Sequence, residues 1–315
     1  MAMVTVIGRD FGESGAVFRS IAAELTAAEV TVAPEAEWVQ SGIALHAPIT
    51  TTDIAKASSI VKTGVAAAKV DGAVRPLVTA DIKLAVFDMD STLIQMETID
   101  ELARFAKAYD KVSLITERAM KGEIDFKTAL AERVALLKGV DATEAYAKVA
   151  QTAVERVTKG ARLLVTTLIK KHHAKIVIVS GGFAPVCRAV AQVLGVDTFY
   201  ANDLEVKEGR FTGRLLHGVP IVDAAFKEMI LRRYAAELNL RPQNVLAVGD
   251  GANDIPMMKA AGTGVAFCAK PLVQKQATYS LNTPDLALVL HYLGARNCDS
   301  AGVEALNGLD PKCKL

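Results

Sequence analysis

Several features that would assign a protein to a class at once are missing from this sequence. Its four cysteines are far apart with no Cys-x-x-Cys pair, and its five histidines lack metal-ligand spacing. We therefore expect neither a structural zinc site nor a disulfide framework, and a reducing compartment fits this cysteine usage. No apolar run approaches the roughly 18 residues that span a bilayer, and no secretory signal precedes the first strand. The sequence thus predicts a cytoplasmic protein without a membrane partner.

The sequence also lacks an excess of charge of either sign. Lysine and arginine number 36 and aspartate and glutamate 35, which gives a formal net charge of +1. Without a basic field, nucleic acid is not expected as the main partner. The chain has 315 residues, 51% of them apolar, enough for a sizeable core and about two domains.

Residues 1–80 are predicted to form an N-terminal α+β domain of the ferredoxin-like or ACT-like kind. The element order is roughly β-α-β-β-α-β, and Thr51-Thr52-Asp53 is typical of a cap that opens a helix ending at Ala68. Val70–Thr79 contains Gly72 and Pro76, which indicates a connector. This domain shows no catalytic constellation, so a packing or dimerisation role and an amino-acid sensor role both stay open.

The strand Lys83–Phe87 ends abruptly in two acids, Asp88 and Asp90. Its apolar residues have no polar break, which is typical of a strand buried on both faces in a parallel sheet. Residues i and i+2 of an extended chain point to the same side, so both carboxylates would share one pocket. Alone, this pattern indicates only a strand followed by an acidic turn, unless other segments converge on the same place.

Residues 95–158 are helical in pattern throughout, which predicts a small cap inserted after that strand. The hairpin at 203–216 is expected to be peripheral. Within the cap, Arg133 lies on the apolar stripe that begins at Phe126, and an inward arginine needs an anion. That anion is either a cap carboxylate, Glu117 or Asp125, or a carboxylate of a ligand.

From residue 159 to 296, strands alternate with helices, which predicts a Rossmann-like α/β core with a parallel sheet. Ser180-Gly181-Gly182 and Gly249-Asp250-Gly251-Ala252-Asn253-Asp254 follow two of its strands. Ligands of such sheets bind beyond the carboxyl ends of the strands, so one crevice would collect these groups and Asp88. The predicted domains are therefore 1–80, an α/β domain 81–296 (core 81–94 and 159–296, cap 95–158) and a flexible tail, 297–315.

The polar groups of this crevice suit phosphoryl transfer. Carboxylates without histidine or thiol favour Mg²⁺, and Ser180 with two glycines offers a hydroxyl and approachable N–H groups to a phosphate. Lys227 would add a positive charge for a phosphoryl oxygen. One carboxylate could then attack phosphorus while its neighbour carries a proton.

These motifs resemble the four ordered motifs of the haloacid dehalogenase-like superfamily. Within it, the chain is similar to bacterial-type phosphoserine phosphatases with an N-terminal extension. The narrower resemblance is carried by four matches: Gln95–Ala103 with Glu97, Met120–Phe126, Glu132–Gly139 with Arg133, and Val179–Phe183.

The resemblance implies a Mg²⁺-dependent enzyme that hydrolyses O-phospho-L-serine, the last step of serine biosynthesis. Asp88 would be the nucleophile and Asp90 the acid and base. Mg²⁺ would be held by Asp88, the Asp90 carbonyl and Asp250, supported by Asp254 and Asn253. Substrate would contact the following residues: Glu97, Met120, Phe126, Arg133, Ser180, Gly181, Lys227 and Asn253.

Three further matters stay open at this level. Phosphotransfer to another alcohol such as homoserine, or hydrolysis of another small phosphomonoester, would use the same groups. Another hypothesis is an amino-acid sensor with an inert phosphatase fold, which the intact Asp88 and Asp90 disfavour. Cys313-Lys314-Leu315 resembles a peroxisomal or glycosomal address, or matches it by chance.

Overall fold

The structure, a computed structural model, describes residues 1–8, 11–33, 37–39, 44–78, 81–120 and 123–294. The predicted tail and its C-terminal tripeptide lie outside these residues. The chain forms two compact units, Met1–Ala80 with Tyr279–Leu315, and Asp81–Thr278. Among the described residues, no helix has both the length and the apolar character needed to cross a membrane.

The first unit begins with two helices packed on an antiparallel sheet. The strands lie in the order β2-β4-β1-β5, and β3 also pairs with β4, so the predicted ferredoxin-like order is confirmed. Asp53 caps α2 as expected, because its side chain accepts a hydrogen bond from Lys56 N at 2.8 Å. The elements are β1 (Ala2–Ile7), α1 (Phe11–Ala27), β2 (Thr31–Val32), β3 (Glu37–Val39), β4 (Ala44–Thr50), α2 (Ile54–Ala68) and β5 (Asp71–Pro76).

The predicted connector over Val70–Thr79 is wrong, since β5 occupies most of it and pairs antiparallel with β1. The sequence did not indicate a strand here because two of the three buried residues of β5 are charged. Asp71 and Arg75 are only 2% and 3% exposed, so burial alternates along β5 without an alternation of apolar side chains.

The second unit is built on a parallel sheet with the strand order β12-β11-β6-β7-β8. The core strand β6 is fully buried, as its unbroken apolar run predicted. Helices on both faces make the predicted α/β core. Its strands are β6 (Leu84–Phe87), β7 (Lys175–Phe183), β8 (Phe199–Asn202), β11 (Val245–Gly249) and β12 (Thr263–Phe267), with the hairpin β9 (Leu204–Lys207) and β10 (Arg210–Leu215) beside them.

Helices α3 to α6 form the cap, as the sequence predicted, between two adjacent connections to the core. Ile94 and Val157 form an antiparallel bridge there, which joins the two connections. The helices of this unit are α3 (Thr98–Phe105), α4 (Tyr109–Met120), α5 (Phe126–Ala135), α6 (Ala142–Glu155), α7 (Ala161–His172), α8 (Ala184–Leu194), α9 (Ala224–Glu237), α10 (Ile255–Ala260) and α11 (Pro271–Gln276).

The hairpin β9–β10, which the sequence predicted to be peripheral, contacts the cap. Gly139 N donates to Phe211 O at 2.8 Å and Phe211 N donates to Val140 O at 3.0 Å. The Phe211 ring also meets Tyr146 of α6 edge-on, with centroids 5.0 Å apart. The hairpin is therefore joined to the turn between α5 and α6.

The chain then returns to the first unit with β13 (Tyr279–Leu281) and α12 (Val289–Tyr292). The buried Asp71 carboxylate accepts hydrogen bonds from Asn282 N and Nδ2 at 2.7 and 3.2 Å. It also accepts from Thr283 N and Oγ1 at 2.8 and 2.7 Å. One side chain of β5 thus holds the returning segment.

Candidate active site

Asp88 and Asp90 lie in a tight turn at the carboxyl end of β6. Asp88 N donates to Val248 O at 2.9 Å, so the strand pairing with β11 extends to this residue. Asp88 Oδ1 accepts from Met89 N at 2.8 Å. Ser91 then adopts a left-handed conformation with φ of 54°, which turns the chain sharply toward the cap.

Lys227 is a fully buried cation joined to two carboxylates. Its Nζ lies 2.8 Å from Asp88 Oδ1 and 2.7 Å from Asp254 Oδ1. Burial opposes its charge, but Asp254 and Asp88 raise its pKa above the ordinary value. The lysine therefore stays charged and fixes Asp88 beside Asp254.

Three carboxylates form a group that fits a divalent cation. Oxygen atoms of Asp88, Asp250 and Asp254 lie within 4.8 Å of one another. Burial and the negative charge of Asp254 raise the pKa of Asp88, although Lys227 lowers it. Burial and Asp254 also raise the pKa of Asp250 to about 7. A hard cation with oxygen ligands would relieve this crowding of negative charge.

Asp90 has different partners from Asp88. Its Oδ2 accepts from Thr98 N at 3.2 Å and Thr98 Oγ1 at 2.7 Å, at the start of α3. Among the described residues, its buried Oδ1 has no hydrogen-bond partner. Burial and the nearby Glu97 raise the pKa of Asp90 to about 8, against the lowering effect of Thr98. Asp90 is therefore suited to carry a proton near neutral pH.

The Ser180-Gly181-Gly182 turn follows β7 beside these acids. Ser180 is fully buried, and its Oγ accepts from Gly182 N at 2.9 Å. A Cβ atom on Gly182 would lie 2.5 Å from Thr98 Oγ1 and 2.9 Å from Asp90 Oδ2. Only glycine lets the turn approach Asp90 this closely.

Asp254 and Asn253 come close to the backbone of the turn after β11. Asp254 Oδ2 accepts from Gly251 N at 3.0 Å. A Cβ atom on Gly249 would overlap Asp254, and one on Gly251 would overlap Asn253 Oδ1. The two glycines therefore make room for these side chains.

The cap contributes charged groups above the turn. Glu97 Oε1 accepts from Ser91 Oγ at 2.6 Å, and desolvation raises the pKa of Glu97. Arg133 is half-buried on α5, and its Nε donates to Ala129 O at 3.2 Å. Burial lowers its pKa, whereas the charges of Glu97 and Asp100 raise it.

Of the other predicted cap groups, Asp125 caps α5 by accepting from Lys127 N at 2.8 Å. Phe126 Cζ lies 3.6 Å from the position that a Cβ atom on Gly181 would occupy, so the ring lies close to the Ser180-Gly181-Gly182 turn. Met120 is the last residue of α4, and its side chain lies outside the described structure.

Three polar residues that contact the predicted site residues were not predicted from the sequence. Thr98 holds Asp90, Thr92 Oγ1 lies 3.2 Å from Asp250 Oδ1, and Asn202 Nδ2 lies 2.8 Å from Gly181 O. Thr98 opens a helix, where carboxylates are favoured, and Asn202 ends a strand at the ligand-binding edge. These two positions, a helix start and a strand end, could have indicated that Thr98 and Asn202 belong to the site.

Comparison with known proteins matches residues 85–259 to the family model of the haloacid dehalogenase-like hydrolases. A phosphoserine phosphatase of Lactococcus lactis is 45% identical over 213 residues, 67% of this chain and 94% of the relative. One of Streptomyces coelicolor is 46% identical over 212 residues, 67% of this chain and 50% of the relative. The chain thus spans about half the length of that second relative.

A solved structure covers both units. It is the unliganded form of a probable phosphoserine phosphatase from Vibrio cholerae, 32% identical, with a TM-score of 0.73. The match covers 99% of this chain and 90% of that one. The chain belongs to the haloacid dehalogenase-like hydrolases and, within them, to the phosphoserine phosphatase family.

Proposed function

We propose that the protein hydrolyses O-phospho-L-serine to L-serine and phosphate, the last step of serine biosynthesis. The observation that carries this proposal is that two acids at the end of one strand have different partners, in a chain that belongs to this family. Asp88 is paired with a buried lysine, and Asp90 is held by Thr98 with one oxygen left over.

In the first step, Asp88 attacks phosphorus and the bond from phosphorus to the seryl oxygen breaks. Asp88 Oδ1 is engaged by Met89 N and Lys227, so we assign the attack to Oδ2. Asp90, protonated near neutral pH, gives its proton to the departing seryl oxygen. The products are L-serine and a phosphoryl group on Asp88.

In the second step, the ionised Asp90 takes a proton from a water molecule that attacks phosphorus. The bond from phosphorus to Asp88 breaks, inorganic phosphate leaves, and both aspartates return to their starting states. Ser180, the Gly181 N–H and Lys227 would hold the phosphoryl oxygens, where charge accumulates.

Mg²⁺ is the proposed cofactor. Asp88, Asp250 and the Asp90 carbonyl would hold it with support from Asp254, in keeping with the clustered oxygens of the acidic group. Bound there, it would neutralise charge on the phosphoryl oxygens.

Glu97 and Arg133 are proposed to bind the serine part of the substrate. A carboxylate and a guanidinium match the ammonium and carboxylate groups of an amino acid. Phe126, Met120 and Asn253 would complete the substrate contacts. Closure of the cap would exclude bulk solvent and leave room for the single water molecule of the second step.

The first unit is proposed to serve dimerisation or regulation of a cytoplasmic enzyme. Its ferredoxin-like sheet carries no group of the reaction described above. Sedimentation of the purified full chain over a concentration series tests dimerisation, and phosphate release with and without L-serine tests regulation: a monomer would contradict the first role, and a rate that serine does not change would contradict regulation by serine.

The experiment for the activity is phosphate release from O-phospho-L-serine with Mg²⁺ and with EDTA. We expect release only with Mg²⁺, none by Asp88→Asn, and a larger loss for Arg133→Ala on phosphoserine than on an aryl phosphate. No release by the wild type, or full activity of Asp88→Asn, would refute the proposal. Product analysis with added homoserine distinguishes hydrolysis from phosphotransfer.

A further inference from the structure

The Ser180-Gly181-Gly182 turn is a bulge in the pairing of β7 with β8. Val179 is aligned with Tyr200, and Phe183 is aligned with Asn202. Three residues of β7 (180–182) therefore face one residue of β8 (201), two more than a regular ladder allows. A bulge loses ladder hydrogen bonds and needs other partners to hold its shape.

Asn202 supplies such partners. The residue is only 2% exposed, and its Nδ2 donates to Gly181 O at 2.8 Å. Its Oδ1 accepts from Val222 N at 2.9 Å. Both ends of the amide are thus used, which fixes its orientation.

The same peptide unit is held at its other end. Gly182 N donates to Ser180 Oγ at 2.9 Å, while Asn202 holds the Gly181 carbonyl. The plane of the Gly181–Gly182 peptide is therefore fixed. Because the Ser180 oxygen accepts from Gly182, the hydroxyl proton of Ser180 is directed to another acceptor.

The second bond of Asn202 reaches the start of the helix that carries Lys227. Val222 precedes Asp223, whose Oδ1 caps α9 by accepting from Phe226 N at 2.9 Å. Lys227 N in turn donates to Asp223 O at 3.0 Å. One amide therefore connects the bulge to the backbone that positions Lys227.

We propose that Asn202 is a positioning residue for phosphoryl binding, which sets the Gly181–Gly182 peptide and its spacing from Lys227. This rests on the proposed function, in which Ser180, Gly181 and Lys227 hold the phosphoryl group. Asn202 itself does not touch substrate. Its loss weakens binding of the phosphoryl group and leaves binding of the serine part unchanged.

The test is calorimetric titration of inorganic phosphate, and separately of L-serine, into the full-length protein with Mg²⁺. Asn202→Asp keeps the shape and the bond from Val222 N but places an acceptor against the Gly181 carbonyl. Asn202→Leu removes both bonds. Asn244→Asp is the matched control, since Asn244 Nδ2 donates to Asp81 O at 2.9 Å on the exposed surface.

We expect both Asn202 variants to bind phosphate about 10-fold more weakly, with serine binding within about 2-fold of wild type. Asn244→Asp should match wild type for both ligands. If Asn202→Leu fails to fold, Asn202→Asp decides alone. Unchanged phosphate affinity in a folded Asn202 variant, or an equal loss for phosphate and serine, overturns the proposal.

The proposed function can fail separately from this inference. A wild type that binds phosphate but neither binds serine nor hydrolyses phosphoserine refutes the substrate alone. In that case the phosphate titrations, with steady-state KM and kcat on an aryl phosphate, still judge Asn202. A positioning role then predicts that Asn202→Asp has a raised KM for the aryl phosphate, whereas the KM of Asn244→Asp equals that of the wild type.

Discussion

At the scale of single residues, the two acids after β6 differ through the partners that the fold gives them. Lys227 and Met89 N hold Asp88, whereas Thr98 holds one oxygen of Asp90. Burial and a neighbouring carboxylate raise the pKa of both acids, but the 2.8 Å ion pair with Lys227 opposes that rise at Asp88. Neighbours two residues apart can therefore take the roles of nucleophile and acid.

Thr98 should affect the rate more than substrate binding. In Thr98→Val the shape is kept but the 2.7 Å hydrogen bond to Asp90 is lost, so the acid is less well oriented. We expect kcat on phosphoserine to fall by about 10-fold or more, with KM within about 3-fold. Thr98→Ser should restore most of the rate. Equal losses in the Val and Ser variants, measured by steady-state kinetics, would contradict this role.

The pH dependence of stability should reveal the cation site. The pKa of Asp250 rises from 3.8 to about 7, and that of Asp90 from 3.8 to about 8. Between pH 3.8 and the raised pKa of each group, the carboxyl is protonated in the folded state and ionised in the unfolded state. The folded state therefore binds more protons in that range, and stability is lost as pH rises. Each group lowers the free energy of unfolding by up to about 1.4 kcal/mol per pH unit.

The measurement is Tm from pH 5 to 8 in EDTA and in Mg²⁺. We expect Tm to fall with pH in EDTA and to stay flatter in Mg²⁺, since the cation favours the ionised carboxylates. Asp250→Asn should reduce the fall in EDTA. A profile that Mg²⁺ leaves unchanged would argue against the cation site.

At the scale of elements, the hairpin β9–β10 supports the cap helix that carries Arg133. Gly213 has φ of 83°, and a Cβ there would lie 3.1 Å from Ala135 O of α5. Gly209 has φ of 75° but nothing within 4 Å of its Cβ position. Both glycines have left-handed backbones, but an added Cβ atom would meet the cap only at Gly213.

Alanine at these positions should separate strain from packing. Each substitution should cost about 1–2 kcal/mol for a left-handed residue, and Gly213→Ala should cost more because it also displaces α5. We expect Gly213→Ala alone to raise KM for phosphoserine. Urea unfolding and steady-state kinetics check this, and equal effects of the two alanines would refute the supporting role of the hairpin.

How far the sequence predicts these elements depends on how local their signals are. The strand β6 follows from its unbroken apolar run, and the four cap helices follow from the apolar periodicity within each segment. The strand β5 escaped prediction because Asp71 and Arg75 occupy its buried positions. Asp88 and Asp250 follow from strand ends, whereas Thr98 and Asn202 act on backbone and side chains 8 and 21 residues away. Such contacts exist only in the folded chain.

At the scale of the whole molecule, the first unit is made of two pieces separated by the entire second unit. The Asp71 carboxylate receives four hydrogen bonds from Asn282 and Thr283. Because Asp71 is buried, these bonds compensate for its lost hydration. The returning segment is therefore part of the first unit's stability.

Removal of this carboxylate should destabilise the first unit strongly. Asp71→Ala removes four hydrogen bonds to a buried carboxylate, at a cost of about 2–4 kcal/mol. Asp53→Ala, which removes the cap of α2 in the same unit, should cost only about 1 kcal/mol. Urea unfolding followed by circular dichroism compares them. A smaller loss for Asp71→Ala than for Asp53→Ala would contradict the assignment.

The Asp71 contact also sets an order of events on the ribosome. Asp71 and Thr283 are 212 positions apart, and translation adds about 5–20 residues per second. The nascent N-terminal piece therefore waits roughly 10–40 s for its last segment. Throughout that interval Asp71 has no Asn282 or Thr283 to bind, and the second unit is synthesised in full while the first is still incomplete.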